Sequence, residues 1–207
     1  MAIGAESAAE TTVESAGRLL SGPLGALPPE LAKLLEGPSI MFLGTRDAAL
    51  QPMSTIAFGL RLAPRDGHES AVPGADRAGQ RGDSGDRNGR EVTVFLPSPL
   101  TPMMLANLRD NGQMALTMVR PTDHQSVQLK GAWLGERRTD DDDRAYVERY
   151  REGLTQELGL VGVPRSIWRR VIWWPSLALR MEVREVFVQT PGPGAGRRCE
   201  PGATTAP

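Results

Sequence analysis

Hydrophobic and polar positions alternate with period two over most of the chain, which predicts strands more often than helices. Ser39 to Thr45 (SIMFLGT) is a buried-type run, preceded by a short helix around Leu31 to Leu35 that Pro28-Pro29 introduces and Gly37-Pro38 ends. From Met53 to Leu62 the alternation is clean. Ile56, Phe58, Leu60 and Leu62 point one way and Thr55, Ala57, Gly59 and Arg61 the other, giving one apolar face and one nearly bare face. Glu91 to Leu96, Gln113 to Arg120, Ser126 to Arg137 and Leu177 to Gln189 supply further strands, with Gly131 marking a bulge in the third of these.

Helical patterns punctuate the strands. Ser98 to Asn111 reads as a helix with Ser98 or Thr101 as its cap, Pro102 in its first turn and Asn111-Gly112 at its end. After Thr139 the period lengthens: Tyr146, Tyr150, Leu154 and Leu158 recur every four residues behind the acidic run Asp140 to Asp143. Pro164 opens a shorter helix through Trp168 and Ile172. The sum is a mainly β fold with helices, α+β in class: a six-stranded antiparallel barrel with helical caps.

Three stretches lack the apolar residues that a core requires. Residues 1–26 and 191–207 read as disordered ends, and 64–90, with one valine among charged and glycine residues, as an expanded hairpin loop inside a single domain spanning 27–190.

Charge narrows the partners. Lys and Arg number 24 against 25 Asp and Glu, a formal charge of -1, so no global field draws the chain to nucleic acid or to an anionic membrane. The first twenty residues carry three glutamates and no continuous apolar region, and nothing later has the uninterrupted apolar length of a membrane span, so a cytoplasmic protein is expected. The single cysteine, Cys199, excludes an intrachain disulfide framework and a cysteine-based zinc site.

Several features could carry chemistry, and most have a plainer reading. Asp140 to Asp143 lacks the spaced ligands and glycine turn of a cation loop and suits the positive end of a helix dipole. Asp123, His124 and Ser126 are too close along the chain for triad geometry. His68 and His124 have no further metal ligands in evident reach, and Arg81-Gly82-Asp83 sits in a loop made largely of those residue types. Trp168, Trp173 and Trp174 have Ile167, Val171 and Ile172 as neighbours and read as core packing before a stacking platform. The more informative set is distributed. The bare face at Thr55, Ala57 and Gly59 lets a flat ring approach the backbone, Ser98, Thr101 and Pro102 begin a helix whose amides can receive a phosphate, and Ser126, Gln128 and Lys130 add donors on one strand face. Spacing alone does not separate this from bare faces packed on another strand and a solvated Lys130.

The order of FLGTRDAALQPMSTIAFGLRL, VTVFLPSPLTPMMLANLRDNGQMALTM and SVQLKGAWL resembles the pyridoxamine 5'-phosphate oxidase superfamily. Its shared pattern is a strand, a Pro-led second strand, a third strand, a helix ending in N-L-x-x-N, a strand, and a strand ending in glycine; the likeness runs from about Pro38 to Gln189. The resemblance implies a homodimeric flavoprotein with FMN between two barrels and hydride transfer performed by the flavin, so an oxidoreductase acting on a small substrate or electron donor. It places ribityl and phosphate contacts near Thr55, Ser98 and the start of the helix at Thr101, and ring contacts near Ser126. Where the oxidases carry an Arg-Lys pair at the start of the helix, this chain has Met103 and Met104; Arg46, Arg61 or Lys130 are the cations left to compensate. The same scaffold also implies an alternative, a non-catalytic binder of haem, flavin or deazaflavin, with the methionine pair packed on a macrocycle.

Overall fold

The computed structural model describes residues 34–35, 37–62 and 91–198. The expectations for 1–26, for the loop 64–90 and for the tail beyond 198 lie outside the described residues. Of the short helix expected before the first strand, only Leu34 and Leu35 are described, both helical and both buried.

The elements in order are β1 (Ile40–Arg46), β2 (Pro52–Ala57), β3 (Leu60–Leu62), β4 (Glu91–Pro97), a 3-10 turn (Ser98–Leu100), α1 (Thr101–Asn111), β5 (Gln113–Val119), β6 (Ser126–Arg138), α2 (Asp141–Leu160), α3 (Arg165–Trp168) and β7 (Ser176–Val188). The seven strands form one sheet in the order β2-β1-β5-β6-β7-β4-β3, and every pairing is antiparallel. The first and last members, β2 and β3, are halves of the single strand expected over Met53–Leu62. The first half pairs with β1 and the second with β4, so the sheet curls into a barrel closed through one segment. Six expected strands thus become seven by one break.

Phe58 and Gly59 make that break. Gly59 sits at φ +86°, where an L side chain is strained, and Tyr146 of α2 presses on it so closely that a Cβ there would stand 2.7 Å from Cε1 of the ring. The Phe58 N–H donates to the Phe95 carbonyl at 2.9 Å, and the Phe95 N–H donates to that of Gly59 at 3.3 Å, which carries the ladder across the break. The break also resets the alternation. Before it, Thr55 and Ala57 lie beside buried Leu43 and Met41 while Ile56 lies beside exposed Phe42; after it, Leu60 lies beside buried Val94. The apolar face read across the whole strand therefore belongs to two sides of the wall.

Leu43, Phe58, Leu60, Phe95, Leu116 and Met181 are fully buried at the centre. On α2 the buried positions Val147, Tyr150, Leu154 and Leu158 recur at helical spacing, so this helix covers β3 and β4 with its Tyr146 ring 5.5 Å from that of Phe95. The Tyr150 hydroxyl donates to the Ser39 carbonyl at 2.7 Å and accepts from the Ser39 N–H at 3.2 Å, tying α2 to the start of β1. The bulge expected at Gly131 is present: the β6–β7 register shifts between Lys130 and Gly131.

Two local expectations change. Neither Ser98 nor Thr101 caps α1 by its side chain; the helix begins after a 3-10 turn with Pro102 in its first turn, and the Thr101 hydroxyl donates back to the Ser98 carbonyl at 2.6 Å. Pro191 to Arg198, expected to be loose, folds back on β7 instead: the Val188 N–H donates to Arg197 O at 3.0 Å, the Gly196 N–H to Val188 O at 2.8 Å, and Phe187 bridges to Arg198. Gly192 and Gly196, at φ +149° and +82°, make so tight a hook possible. Among the described residues no helix is long and apolar enough to cross a membrane.

Candidate functional site

The wall built by β1, β2, β5, β6 and β7 presents two cross-strand rows on its outer side. β1 expected as a buried run in fact alternates: Met41, Leu43 and Thr45 point inward, and Phe42, Gly44 and Arg46 outward. Gly44 stands opposite Ser54 on one side and Ala115 on the other, Ala115 stands opposite Lys130, and Lys130 opposite Glu185. One row is thus Ser54, Gly44, Ala115, Lys130 and Glu185, and its first three members have almost no side chain. The neighbouring row is Ile56, Phe42, Thr117, Gln128 and Phe187.

The small residues leave an open cleft of about 850 Å³. Gly44, Ala115 and Gly131 form its floor, with Pro52, Met53 and Ser54 along the β2 side. Its rim carries the cations Arg46, Lys130, Arg184 and Arg198 and the carboxylate Glu185. A flat floor of backbone and methyl groups, bordered by four cations and one carboxylate, suits a planar ligand with an anionic arm.

The asparagines of the N-L-x-x-N stretch set one end of this rim. The Asn107 amide donates to the Thr45 hydroxyl at 3.0 Å and the Asn111 amide to the Arg46 carbonyl at 2.8 Å, so α1 is pinned to the last residues of β1. Arg46 then extends outward, its Nε donating to Gln113 Oε1 at 3.0 Å, and among the described residues no carboxylate lies within ion-pair distance of it. Lys130 likewise has no carboxylate partner; its ammonium lies 4.4 Å above the centre of the Phe187 ring. Arg184 is paired with Glu182, and Arg198 with Glu185 at 3.0 Å.

The residues expected to bind a cofactor divide between places. Gln128 and Lys130 lie on this outer wall, the Gln128 amide donating to the Thr117 hydroxyl at 3.0 Å. Thr55 is on the inward side of β2. Ser126 is buried at the end of β6, its N–H donating to Thr190 Oγ1 at 3.0 Å. Ser98 and Thr101 bond to each other at the start of α1 and do not line the cleft. Arg61 is committed elsewhere: it pairs with Asp143 at 3.0 Å and lies 4.3 Å over the Tyr146 ring. The bare face at Ala57 and Gly59 receives core side chains and Tyr146, not an open ring site.

Met103 and Met104 do not act as a pair. Met104 is buried and accepts a hydrogen bond from the Thr45 hydroxyl at 3.5 Å, while Met103 is 62 % exposed. Neither lines the cleft, whose thioethers come from Met53 and Met114. Residues missed from the sequence are Gly44, Ser54, Ala115, Arg184 and Arg198. For Gly44, Ser54 and Ala115 the signal is a match of small residues across strands, which exists only once the register is known.

The other candidates settle into structural roles. Asp140 caps α2 by accepting from the Asp143 N–H at 2.8 Å, and the Asp143 side chain returns to the Asp140 N–H, a capping box. Asp143 is fully buried and also takes Arg137, through both oxygens, and Arg61. Burial pushes its carboxyl up, but the hydrogen bond from Arg137, the Asp140 N–H and the two arginine charges outweigh this and hold it below the usual carboxylate range. Among the described residues no group of His, Cys, Asp and Glu is arranged to hold a metal ion. His124 is exposed in a turn at φ +60°. Trp168, Val171 and Trp173 pack against the core, whereas Ile167 and Ile172 are exposed and Trp174 is outside the core cluster, its ring 6.0 Å from that of Trp173.

No family model matches the chain, and no curated protein does. Solved structures do resemble it. HupZ from Group A Streptococcus is 15% identical, with 82% of this chain and 100% of that chain covered at a TM-score of 0.40. An F420 reductase is 11% identical, with 77% and 98% covered at 0.42. An FMN-binding protein from Syntrophomonas wolfei subsp. wolfei is 10% identical, with 88% of each chain covered at 0.36. Similarity of this degree speaks for no activity. The fold stands on the strand ring itself, an antiparallel barrel with helical caps.

Proposed function

We propose that this chain binds a planar, anionic redox cofactor of the flavin class, with FMN as the first choice, and serves as a flavin-dependent oxidoreductase for a small substrate. The observation that carries this reading is the cleft of about 850 Å³ with a floor of Gly44, Ala115 and Gly131 and a rim holding Arg46 and Lys130, for which no described residue supplies a carboxylate partner. A planar ring seats on a floor without side chains, and a phosphate finds the charge that the methionines at 103 and 104 do not supply. Bound there, the flavin would supply hydride transfer, and the protein's part is to bind, orient and shield it. Arg46 and Lys130 would hold the phosphate, and Gln128 and Thr117 offer polar atoms beside the ring.

The outer row adds a partner. Phe42 is 45 % exposed and stands between Ile56 and Thr117, next to the cleft. An apolar strip beside an open cleft favours a homodimer in which a second copy covers the ligand.

Haem fits this site less well. Its iron commonly takes His, Cys or Tyr, and the residues lining the cleft include none of these, only the thioethers of Met53 and Met114. A deazaflavin, planar and anionic, fits on the same grounds as FMN.

An absorption spectrum of the purified protein, followed by titration with FMN and then NAD(P)H, tests the reading. The expected result is a bound or reconstituted flavin that Lys130→Ala weakens and that a nicotinamide donor reduces. A colourless protein that takes up no FMN rejects it. Bound flavin that no donor reduces leaves the non-catalytic binder as the function.

A further inference from the structure

Lys130 and Glu185 stand directly opposite on neighbouring antiparallel strands. Opposite charges so placed ordinarily pair, since their Cβ atoms lie about 4.5–5.5 Å apart. Here they do not. The Glu185 carboxylate is bonded to Arg198 at 3.0 Å, and the Lys130 ammonium rests on the face of Phe187. Arg198 comes from outside the barrel, on the hook that folds back after β7, and the hook is fixed to β7 by backbone bonds on both sides of Val188. Phe187, the ring under Lys130, is itself the bridge partner of Arg198.

We propose that Arg198 is a positioning residue: by holding Glu185, it keeps the Lys130 ammonium free to receive the anionic group of the cleft's ligand. Without Arg198, Glu185 is left facing Lys130 across the strand pair, and a paired ammonium competes poorly for a phosphate. The proposal rests on the cleft being an anion-binding site, as the cofactor reading holds, but not on which cofactor fills it. It gives the terminal hook a function: it sets the charge that the cleft offers.

The chain's lysines are Lys33 and Lys130, so reductive ¹³C-methylation, which keeps their charge, labels these two side chains and the N-terminal amine, with Lys33 as the internal reference. Titration of the full chain with inorganic phosphate should move the Lys130 signal and leave Lys33 in place. Arg198→Ala should raise the phosphate midpoint at Lys130 about tenfold, the size expected for loss of one charge-assisted partner. Arg198→Lys should retain most of the response. Glu185→Gln should bind as well as the unmodified sequence, and adding it to Arg198→Ala should restore the midpoint to within about twofold. An unfolding midpoint for each variant confirms that the barrel is intact; if Arg198→Ala does not fold, Glu185→Gln and Arg198→Lys decide.

No phosphate response at Lys130, an unchanged midpoint in Arg198→Ala, failure of Glu185→Gln to rescue it, or weaker binding in Glu185→Gln alone each overturns the proposal. FMN titration of the same proteins separates the two claims. The predicted phosphate pattern without FMN uptake keeps the role of Arg198 and rejects the cofactor, whereas FMN uptake indifferent to Arg198 does the reverse.

Discussion

A side-chain carbon on Gly131 would lie 1.8 Å from the carbonyl oxygen of Glu182, well inside van der Waals contact with a strand that cannot move without unpairing β6 from β7. The glycine is what allows the two longest strands to stay paired through their register shift. It also forms part of the cleft floor, so fold and site meet at one residue. Gly131→Ala should cost about 3 kcal/mol or more, beyond ordinary overpacking, and urea unfolding followed by tryptophan fluorescence measures it.

Gly44 gives the opposite expectation. The nearest atoms to a Cβ there are at 3.8–4.0 Å, ordinary contact, and the position faces outward into the cleft. Gly44→Leu should shift stability by no more than about 1 kcal/mol while filling the floor and lowering FMN affinity at least about tenfold. Equal FMN binding by the two proteins would place the ligand elsewhere.

Asp143 joins α2 to β3 and β6 through Arg61 and Arg137. Removing one side of a buried pair leaves uncompensated charge; because Arg61 and Arg137 are partly exposed, Asp143→Asn should cost about 2–3 kcal/mol, less than a fully buried pair would. Its folded carboxyl is held below the unfolded value of 3.8, so the stabilisation is complete above that value and disappears as pH falls through the folded one. The measurement is the urea midpoint from about pH 6 down to pH 2, with a slope that Asp143→Asn flattens at its acid end.

Tyr150 carries the alkaline counterpart. Burial pushes its phenol up to about 12, against the lowering effect of the Ser39 hydrogen bonds. A raised phenol favours the neutral folded form, so stability is full below about pH 10 and declines between pH 10 and 12 as the unfolded chain ionises first. Ultraviolet titration, compared with Tyr150→Phe, should show the Tyr150 phenolate only near the top of that range. The Phe variant leaves the buried Ser39 N–H without its acceptor and should lose about 1–3 kcal/mol.

Residues 63–90 connect two strands already paired, with Leu62 opposite Val92. Closure of the barrel sets no requirement on the length of that connection, and loop entropy changes only slowly with length. Replacing 63–90 by a short Asn-Gly hairpin turn should leave the thermal midpoint within a few degrees, as read by circular dichroism.

The barrel was legible because its strands carry period-two patterns and its turns carry glycine and proline at the expected places; Gly112, in the left-handed region, ends α1 where Asn111-Gly112 announces it. Gly131 also stood out, since an isolated glycine in a strand marks a bulge. What a linear pattern does not contain is register. Ser54, Gly44 and Ala115 are unremarkable in three separate segments and become a floor only when paired side by side. The same gap misplaced Thr55, because the break at Phe58 and Gly59 reverses which neighbours share a face, and the tyrosine packed on that break lies 87 positions later. Arg198 was hidden for a different reason: a Gly/Pro-rich tail has no periodicity to show that it returns.

The strand shared by both ends of the sheet has a consequence for how copies of this molecule can meet. Among the described residues β2 and β3 are the terminal strands, with six and three residues, so they offer no long row of unpaired amides for strand addition. Faces rather than edges are then the surfaces open to contact, and the face with exposed Phe42 borders the cleft. The same geometry that limits strand addition leaves the apolar ring of Phe42 exposed beside the open cleft.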